Sequence, residues 1–245
     1  LPYPSYVLYR TLADIQGAAW EQVAFDDDWS LPAAFGKSDK DLRLVLLPNP
    51  NSPSGTVVSP NRVSQLADSL DCPLIVDEAY ADFAEDNCLD LVQQNQRIMV
   101  TRTLSKSYGL AGIRFGFLVA QPDVIAELAK IKDSYNCDGL SIAAATAAMG
   151  CGDWLRDVQG KMNATRSRLA ERLSDLGFKV VPSHANFVWC QHPNGKHQQL
   201  YEFLKKNQIL VRYMQFPDWG DGLRISVGTD EQIDACLMII ERYLA

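Results

Sequence analysis

Short apolar runs that stop abruptly at polar residues, alternating with amphipathic helical patterns, predict an α/β protein. The expected architecture is a mostly parallel sheet with helices on both faces, followed by a small C-terminal α/β domain. Three observations carry this. Leu74–Val76 and Ile98–Val100 are continuous apolar runs of the kind that parallel strands buried on both faces require. Each ends in a polar cluster: Asp77, Glu78 and Tyr80 after the first, Thr103, Ser105 and Lys106 after the second. Between strand-like segments, Ser59 reads as an N-cap with Pro60 at the first helical position, and Val63, Leu66, Ala67 and Leu70 form a helical stripe.

In chain order, PYPSYVLY (2–9) opens the sequence, and a helix is expected through Val7 to Gly17. Gln22 to Phe25 reads as a short strand, and DDDWSLPAAF as a surface turn leading into a short helix. The acidic run Asp26 to Asp28 reads as a solvated face. Leu42 to Leu47 is of strand type, and PNPNSPSG after it is a turn-rich loop. A second apolar run covers Phe115 to Ala120, and Pro122 to Lys132 reads as a helix. From Asp153 to Leu176 a long helix is expected, ~36 Å at 1.5 Å per residue, with Leu155, Val158, Met162, Leu169, Leu173 and Leu176 as its core stripe and Gly177 as its stop. Strands at 178–181, 186–190, 209–212 and within LRISVGT (223–229) then alternate with a helix near 197–207. Thr229 and Gln232 form a capping box for a final helix. A boundary near residue 145 divides the chain into a large domain, 1–145, and a small one, 146–245.

The polar clusters suggest one chemistry. Ligand crevices in open α/β sheets lie at the carboxyl ends of strands, so both clusters point to one place. Two hydroxyls (Thr103, Ser105), an amine (Lys106) and, eight residues on, the Arg114 guanidinium suit a phosphorylated ligand held beside a reactive amine. A lysine becomes a covalent catalyst through a Schiff base, and pyridoxal phosphate is the commonest partner. Asp77 suits the pyridinium nitrogen, and Tyr80 the phenolic oxygen.

The stretch 103–116, TLSKSYGLAGIRFG, meets the pattern T-L-S-K-x-[YF]-G-L-A-G-x-R-x-G. With PLIVDEAY upstream, it resembles the histidinol-phosphate aminotransferases, members of fold type I of the pyridoxal-phosphate enzymes. The resemblance implies that Lys106 holds the cofactor and that Tyr6 stacks on its ring, with the proline two residues earlier after a cis bond. Arg224 would grip the substrate's anionic group and Arg212 its phosphate end; a buried salt bridge is the alternative for each. The family's loop reads N-P-x-N-P-T-G, with an asparagine contacting the phenolic oxygen. Here Ser52 holds that place, so the contact falls to Asn51, to Ser52 through water, or to neither. Tyr135 and Asn136 match positions near the site or serve structure alone. The similarity covers the later two thirds of the family; the earlier part would carry an N-terminal arm and a phosphate-binding loop.

Composition excludes other classes. A net charge of −7 argues against a general nucleic-acid surface, so an anionic substrate must be held by local arginines. No apolar run approaches the ~20 residues of a membrane span. Six scattered cysteines and three histidines show no metal-ligand spacing, which favours reduced thiols in a cytoplasmic protein. The expected reaction is amino transfer between L-histidinol phosphate and 2-oxoglutarate by a homodimer in histidine biosynthesis. Aromatic amino-acid transamination and threonine-phosphate decarboxylation use the same residues, and a truncated non-catalytic remnant is the contrasting possibility.

Overall fold

The computed structural model describes residues 1–37 and 41–245. β1 (Pro2–Tyr3) and β2 (Val23–Ala24) pair in parallel, with α1 (Leu8–Ile15) between them. β3 (Val45–Pro48), α2 (Pro60–Asp68), β4 (Leu74–Asp77), α3 (Leu91–Gln94), β5 (Ile98–Thr103) and β6 (Gly116–Val119) follow. Their sheet has the order β3-β4-β5-β6, parallel throughout except for the antiparallel β6. Leu47, Leu74, Val76, Ile98 and Val100 form its core with Val63, Leu66, Ala67 and Leu70 of α2 and the turn after it. The Ser59 side chain accepts from Arg62 N at 3.3 Å, with Pro60 opening the helix.

α4 (Pro122–Ile131), α5 (Gly139–Met149) and α6 (Gly152–Asp175) lead to a second, antiparallel sheet. It contains β7 (Lys179–Val181), β8 (Phe187–Gln191), β9 (Arg212–Phe216) and β10 (Gly220–Ser226), in the order β7-β8-β10-β9. α7 (His197–Lys206) and α8 (Asp230–Leu244) pack with it and with α6 around Leu169, Leu173, Leu200, Leu204, Leu223 and Ile240. The capping box of α8 is formed by Thr229 and Gln232, and Gly177 at φ +87° ends α6. Residue 145 falls inside α5.

Three elements differ from the sequence expectation. Residues 32–37 form turns where the short helix is expected to begin, Phe35 N donating to Pro32 O and Lys37 N to Ala34 O, both at 3.0 Å, and its continuation at 38–40 lies outside the described residues. α1 is shorter at both ends than the span 7–17. β9 begins where the expected strand 209–212 ends, because its partner is the stretch Gly220–Arg224; Leu210 is left 79% exposed. Apolar character alone cannot distinguish a strand from the connection before it.

A third cluster joins the early chain to the second sheet: Phe25 and Trp29 pack against Val181, Trp189 and Phe216. The loop after β3 makes a second junction. His184 N donates to Gly55 O at 2.7 Å, and Gly55 has φ +76°. A Cβ at Gly55 would lie 3.1 Å from Ser183 Cα, with the Ser183 hydroxyl closer still. Gly55→Ala is therefore expected to destabilise the fold by about 1–3 kcal/mol, read as a lower urea midpoint; an unchanged midpoint would mean that this junction yields without cost.

Candidate active site

Parallel register sets the site. Pro48, Asp77 and Thr101 lie opposite one another across β3, β4 and β5, so β3 and β4 end level and β5 runs two residues further to Thr103. The loop 49–55, the Asp77 carboxylate and the Thr103–Lys106 loop therefore share one edge of the sheet.

Asp77 accepts hydrogen bonds at both oxygens, from Tyr9 Oη at 2.8 Å and from Ala79 N at 3.1 Å. Tyr9 is buried; desolvation and the adjacent carboxylate push its phenol far above the ordinary tyrosine value, so the phenol is the donor. One turn earlier on the same chain segment, Tyr6 meets the Tyr9 ring edge to face at 5.7 Å and remains 50% exposed. The peptide bond before Pro4 is cis.

Lys106 Nζ stands 5.1 Å from the centroid of the Tyr80 ring, and among the described residues it has no carboxylate partner. The Tyr80 ring in turn meets Phe187 of β8 at 5.0 Å. Thr103 Oγ1 lies 2.9 Å from Ser105 Oγ and 3.2 Å from Phe115 O, and accepts from Ser105 N at 3.1 Å. Arg114, beside Phe115, has φ +53°, uncommon for a residue other than glycine. Its side chain is exposed, with Nη1 donating to Ala111 O at 2.8 Å.

The second sheet contributes two arginines. Arg224 on β10 and Arg212 on β9 are direct cross-strand neighbours. Like charges in that position repel, and neither has a carboxylate partner among the described residues. Arg224 donates through Nη1 to Ser52 Oγ at 2.7 Å, stacks 4.8 Å from the Phe187 centroid, and keeps a buried Nε with no partner. Burial pulls its pKa below the usual arginine value; Tyr80 opposes that shift and Arg212 adds to it. The salt-bridge alternative is thus not what these strands form.

Asn51 stands apart from the other expected cofactor ligands. It is 1% exposed, its Oδ1 accepts from Ser5 Oγ at 2.9 Å, and its Nδ2 donates to Pro4 O and Ser54 Oγ. Its amide clamps the loop to the opening segment, and Ser52 is occupied by Arg224. Tyr135 is 91% exposed and Asn136 accepts from Lys132, so neither is drawn into the cluster.

Sequence reasoning missed two features. Tyr9 is one; its signal was the three-residue spacing from Tyr6, which stands just before α1, a spacing that lets the two rings meet. The other is an ionic cluster under the lysine loop. Buried Glu78 receives Arg102 through Nε at 2.8 Å and Nη2 at 2.7 Å, and Arg102 Nη1 reaches Asp82 at 2.6 Å. Ser107, next to Lys106, donates to the other Asp82 oxygen, and Cys88 N donates to Glu78. Burial pushes the Glu78 carboxyl up, and Arg102 opposes it. Gln159 of α6 donates to Asp82 O at 2.6 Å, tying the cluster to the long helix.

An amine with no acidic partner among the described residues, on the same sheet edge as a strand-end carboxylate and a hydroxyl loop, is an arrangement that suits a lysine-based transferase. The particular family is given by comparison: the family "Aminotransferase class I and II" matches residues 1–240, and this chain belongs to it. It is 74% identical over 242 residues to a histidinol-phosphate aminotransferase of Rhodopirellula baltica, covering 99% of this chain and 67% of that protein. The chain thus spans about two thirds of the length of the curated relatives it matches. Among solved structures, the Sinorhizobium meliloti histidinol-phosphate aminotransferase in complex with pyridoxal-5'-phosphate superposes with a TM-score of 0.87 at 27% identity, covering 98% of this chain and 69% of that one. The L-threonine-O-3-phosphate decarboxylase of Porphyromonas gingivalis shares the fold, with a TM-score of 0.82 at 19% identity over 99% and 75% of the two chains. The architecture is that of fold type I.

Arg102→Met is expected to destabilise the protein by about 3–5 kcal/mol, because it leaves Glu78 buried and unpaired. Adding Glu78→Gln should recover part of that loss in a urea melt. Strictly additive losses would show that the two side chains do not act as a pair.

Proposed function

We propose that the protein transfers an amino group between L-histidinol phosphate and 2-oxoglutarate with pyridoxal phosphate as its cofactor. The observation that carries the reading is Lys106: its amine has no acidic partner among the described residues, and the Tyr80 ring beneath it adjoins Arg224, which faces Arg212 across the strands. The residues present fit this cofactor. A free amine meets its aldehyde, a strand-end carboxylate its ring nitrogen, and an exposed aromatic face its ring. The buried, partnerless Nε of Arg224 asks for an anionic ligand.

When bound, pyridoxal phosphate supplies an electron sink for the charge that develops at the substrate's Cα. The chain does the rest. Lys106 holds the cofactor through its amine and afterwards carries the proton away from Cα as general base. Asp77 keeps the ring nitrogen protonated, Tyr6 supports the ring face, and Tyr80 donates to the phenolic oxygen. Thr103, Ser105 and Arg114 take the phosphate, the last with a guanidinium fork suited to two oxygens. Arg224 and Arg212 hold the anionic groups of the amino donor and of the 2-oxo acid. Ser52, in the family's asparagine position, orients Arg224.

We extend the reading to a cytoplasmic homodimer acting in histidine biosynthesis. Buried free thiols at Cys72, Cys88, Cys190 and Cys236 suit a reducing compartment. Ile131 and Leu140, 82% and 85% exposed, offer apolar surface to a second copy.

Lys106→Ala is expected to abolish amino transfer and the visible absorbance of lysine-bound cofactor; a variant that kept both would overturn the reading. Arg224→Lys should leave that absorbance unchanged and raise KM for both substrates roughly ten- to a hundredfold, from the loss of ~1.5–3 kcal/mol of charge-assisted bonding. Reduced cofactor binding at constant KM would make Arg224 structural. Release of carbon dioxide from O-phospho-L-threonine, without amino transfer from L-histidinol phosphate, would favour the decarboxylase instead.

A further inference from the structure

We propose that Tyr9 is a positioning residue for this site: its hydroxyl fixes the Asp77 carboxylate while its ring holds Tyr6. One buried side chain thereby aligns the group that would meet the ring nitrogen with the group that would meet the ring face. The inference rests on the function proposed above.

The geometry supports both halves. A carboxylate's terminal torsion has a broad, nearly two-fold profile, so a strand-end aspartate needs partners to set its plane. Asp77 has two: Ala79 N at one oxygen and Tyr9 Oη, 2.8 Å away, at the other. The backbone donor belongs to the turn that follows β4 and moves with Asp77. Tyr9 comes from α1, which is 68 residues away in the chain, and so is the tie that references the carboxylate to a separate element. Each of these bonds takes one lone pair and leaves the carboxylate others for a ring N–H.

The direction of the bond is fixed as well. Tyr9 is 6% exposed, and burial and the carboxylate both oppose ionisation, raising its phenol well above the ordinary tyrosine value. A phenol donating to a carboxylate is a charge-assisted bond, roughly twice as strong as a neutral one. The same ring meets Tyr6 at an interplanar angle of 88°, an edge-to-face contact. Tyr6 is half exposed, and this contact with Tyr9 braces its ring against turning.

Tyr9→Phe tests the hydroxyl alone, since it retains the ring and hence the contact with Tyr6. Three measurements belong together: the dissociation constant for pyridoxal phosphate by absorbance titration, kcat and KM for amino transfer, and the same dissociation constant in an Asp77→Ala background. We expect the dissociation constant to rise about tenfold or more, kcat to fall by a similar factor with KM little changed, and the thermal midpoint to move by only a few degrees. In the Asp77→Ala background Tyr9→Phe should add almost nothing, because a residue that acts through Asp77 has nothing left to position.

Equal effects of Tyr9→Phe with and without Asp77 would overturn the proposal, as would an unchanged dissociation constant and kcat. Failure of Tyr9→Phe to fold would also overturn it, by making the hydroxyl a determinant of folding. These outcomes are separate from failure of the function itself. If Lys106→Ala keeps its activity, the transferase reading falls. If Lys106 is required and Tyr9→Phe behaves as the unaltered protein, only the role of Tyr9 falls.

Discussion

The in-register parallel pairing of β3, β4 and β5 is the constraint on which the site depends. Parallel ladders place equivalent strand ends side by side, and here they bring Pro48, Asp77 and Thr101 into one row. Everything polar that follows those residues then emerges on the same edge. The apolar runs beneath, among them Leu47, Val76 and Val100, are buried on the sheet and make a one-residue slip costly, because a slip would turn core side chains outward. The strength of the hydrophobic register is thus what gives the polar groups their accuracy.

Charge is arranged locally against the overall balance. The chain carries a net charge of −7, yet the cations at the site lack acidic partners, while those beneath it are paired. Arg102 satisfies Glu78 and Asp82 and leaves no charge over for a ligand. Lys106, Arg212 and Arg224 have no such partner among the described residues. A facing arginine pair opposes folding, and an anion held between the two would relieve it. The same pairing rule therefore separates the paired Arg102 of β5 from the unpaired Lys106 of its loop and from Arg212 and Arg224 of the second sheet.

The two sheets meet through a small number of directional contacts. Gly55 O receives His184 N, Ser52 receives Arg224, and Tyr80 packs on Phe187. Phe25 and Trp29 add apolar contact from the early chain. Arg166 of α6 donates to Ala185 O at 2.9 Å and Phe83 O at 3.4 Å, which spans the same junction from below. Such contacts fix where the arginines of β9 and β10 stand relative to the lysine loop.

The sequence by itself determined the layers, the strand ends and the chemistry-bearing residues, because continuous apolar runs, helix caps and the motif at 103–116 are local properties of the chain. Asp77, Tyr80, Thr103, Ser105, Lys106 and Arg114 were singled out as candidates for that reason. Tertiary structure alone decided which polar groups are already engaged. Asn51 looked available in the loop and is consumed by Ser5, Pro4 and Ser54; Tyr9 looked like one more helical aromatic and is the donor to Asp77. It also decided the register of β9, which placed Arg212 opposite Arg224. Ser5 and Pro4 lie tens of residues from Asn51, as Tyr9 does from Asp77, so no local pattern records those pairs; they exist only once the core has packed.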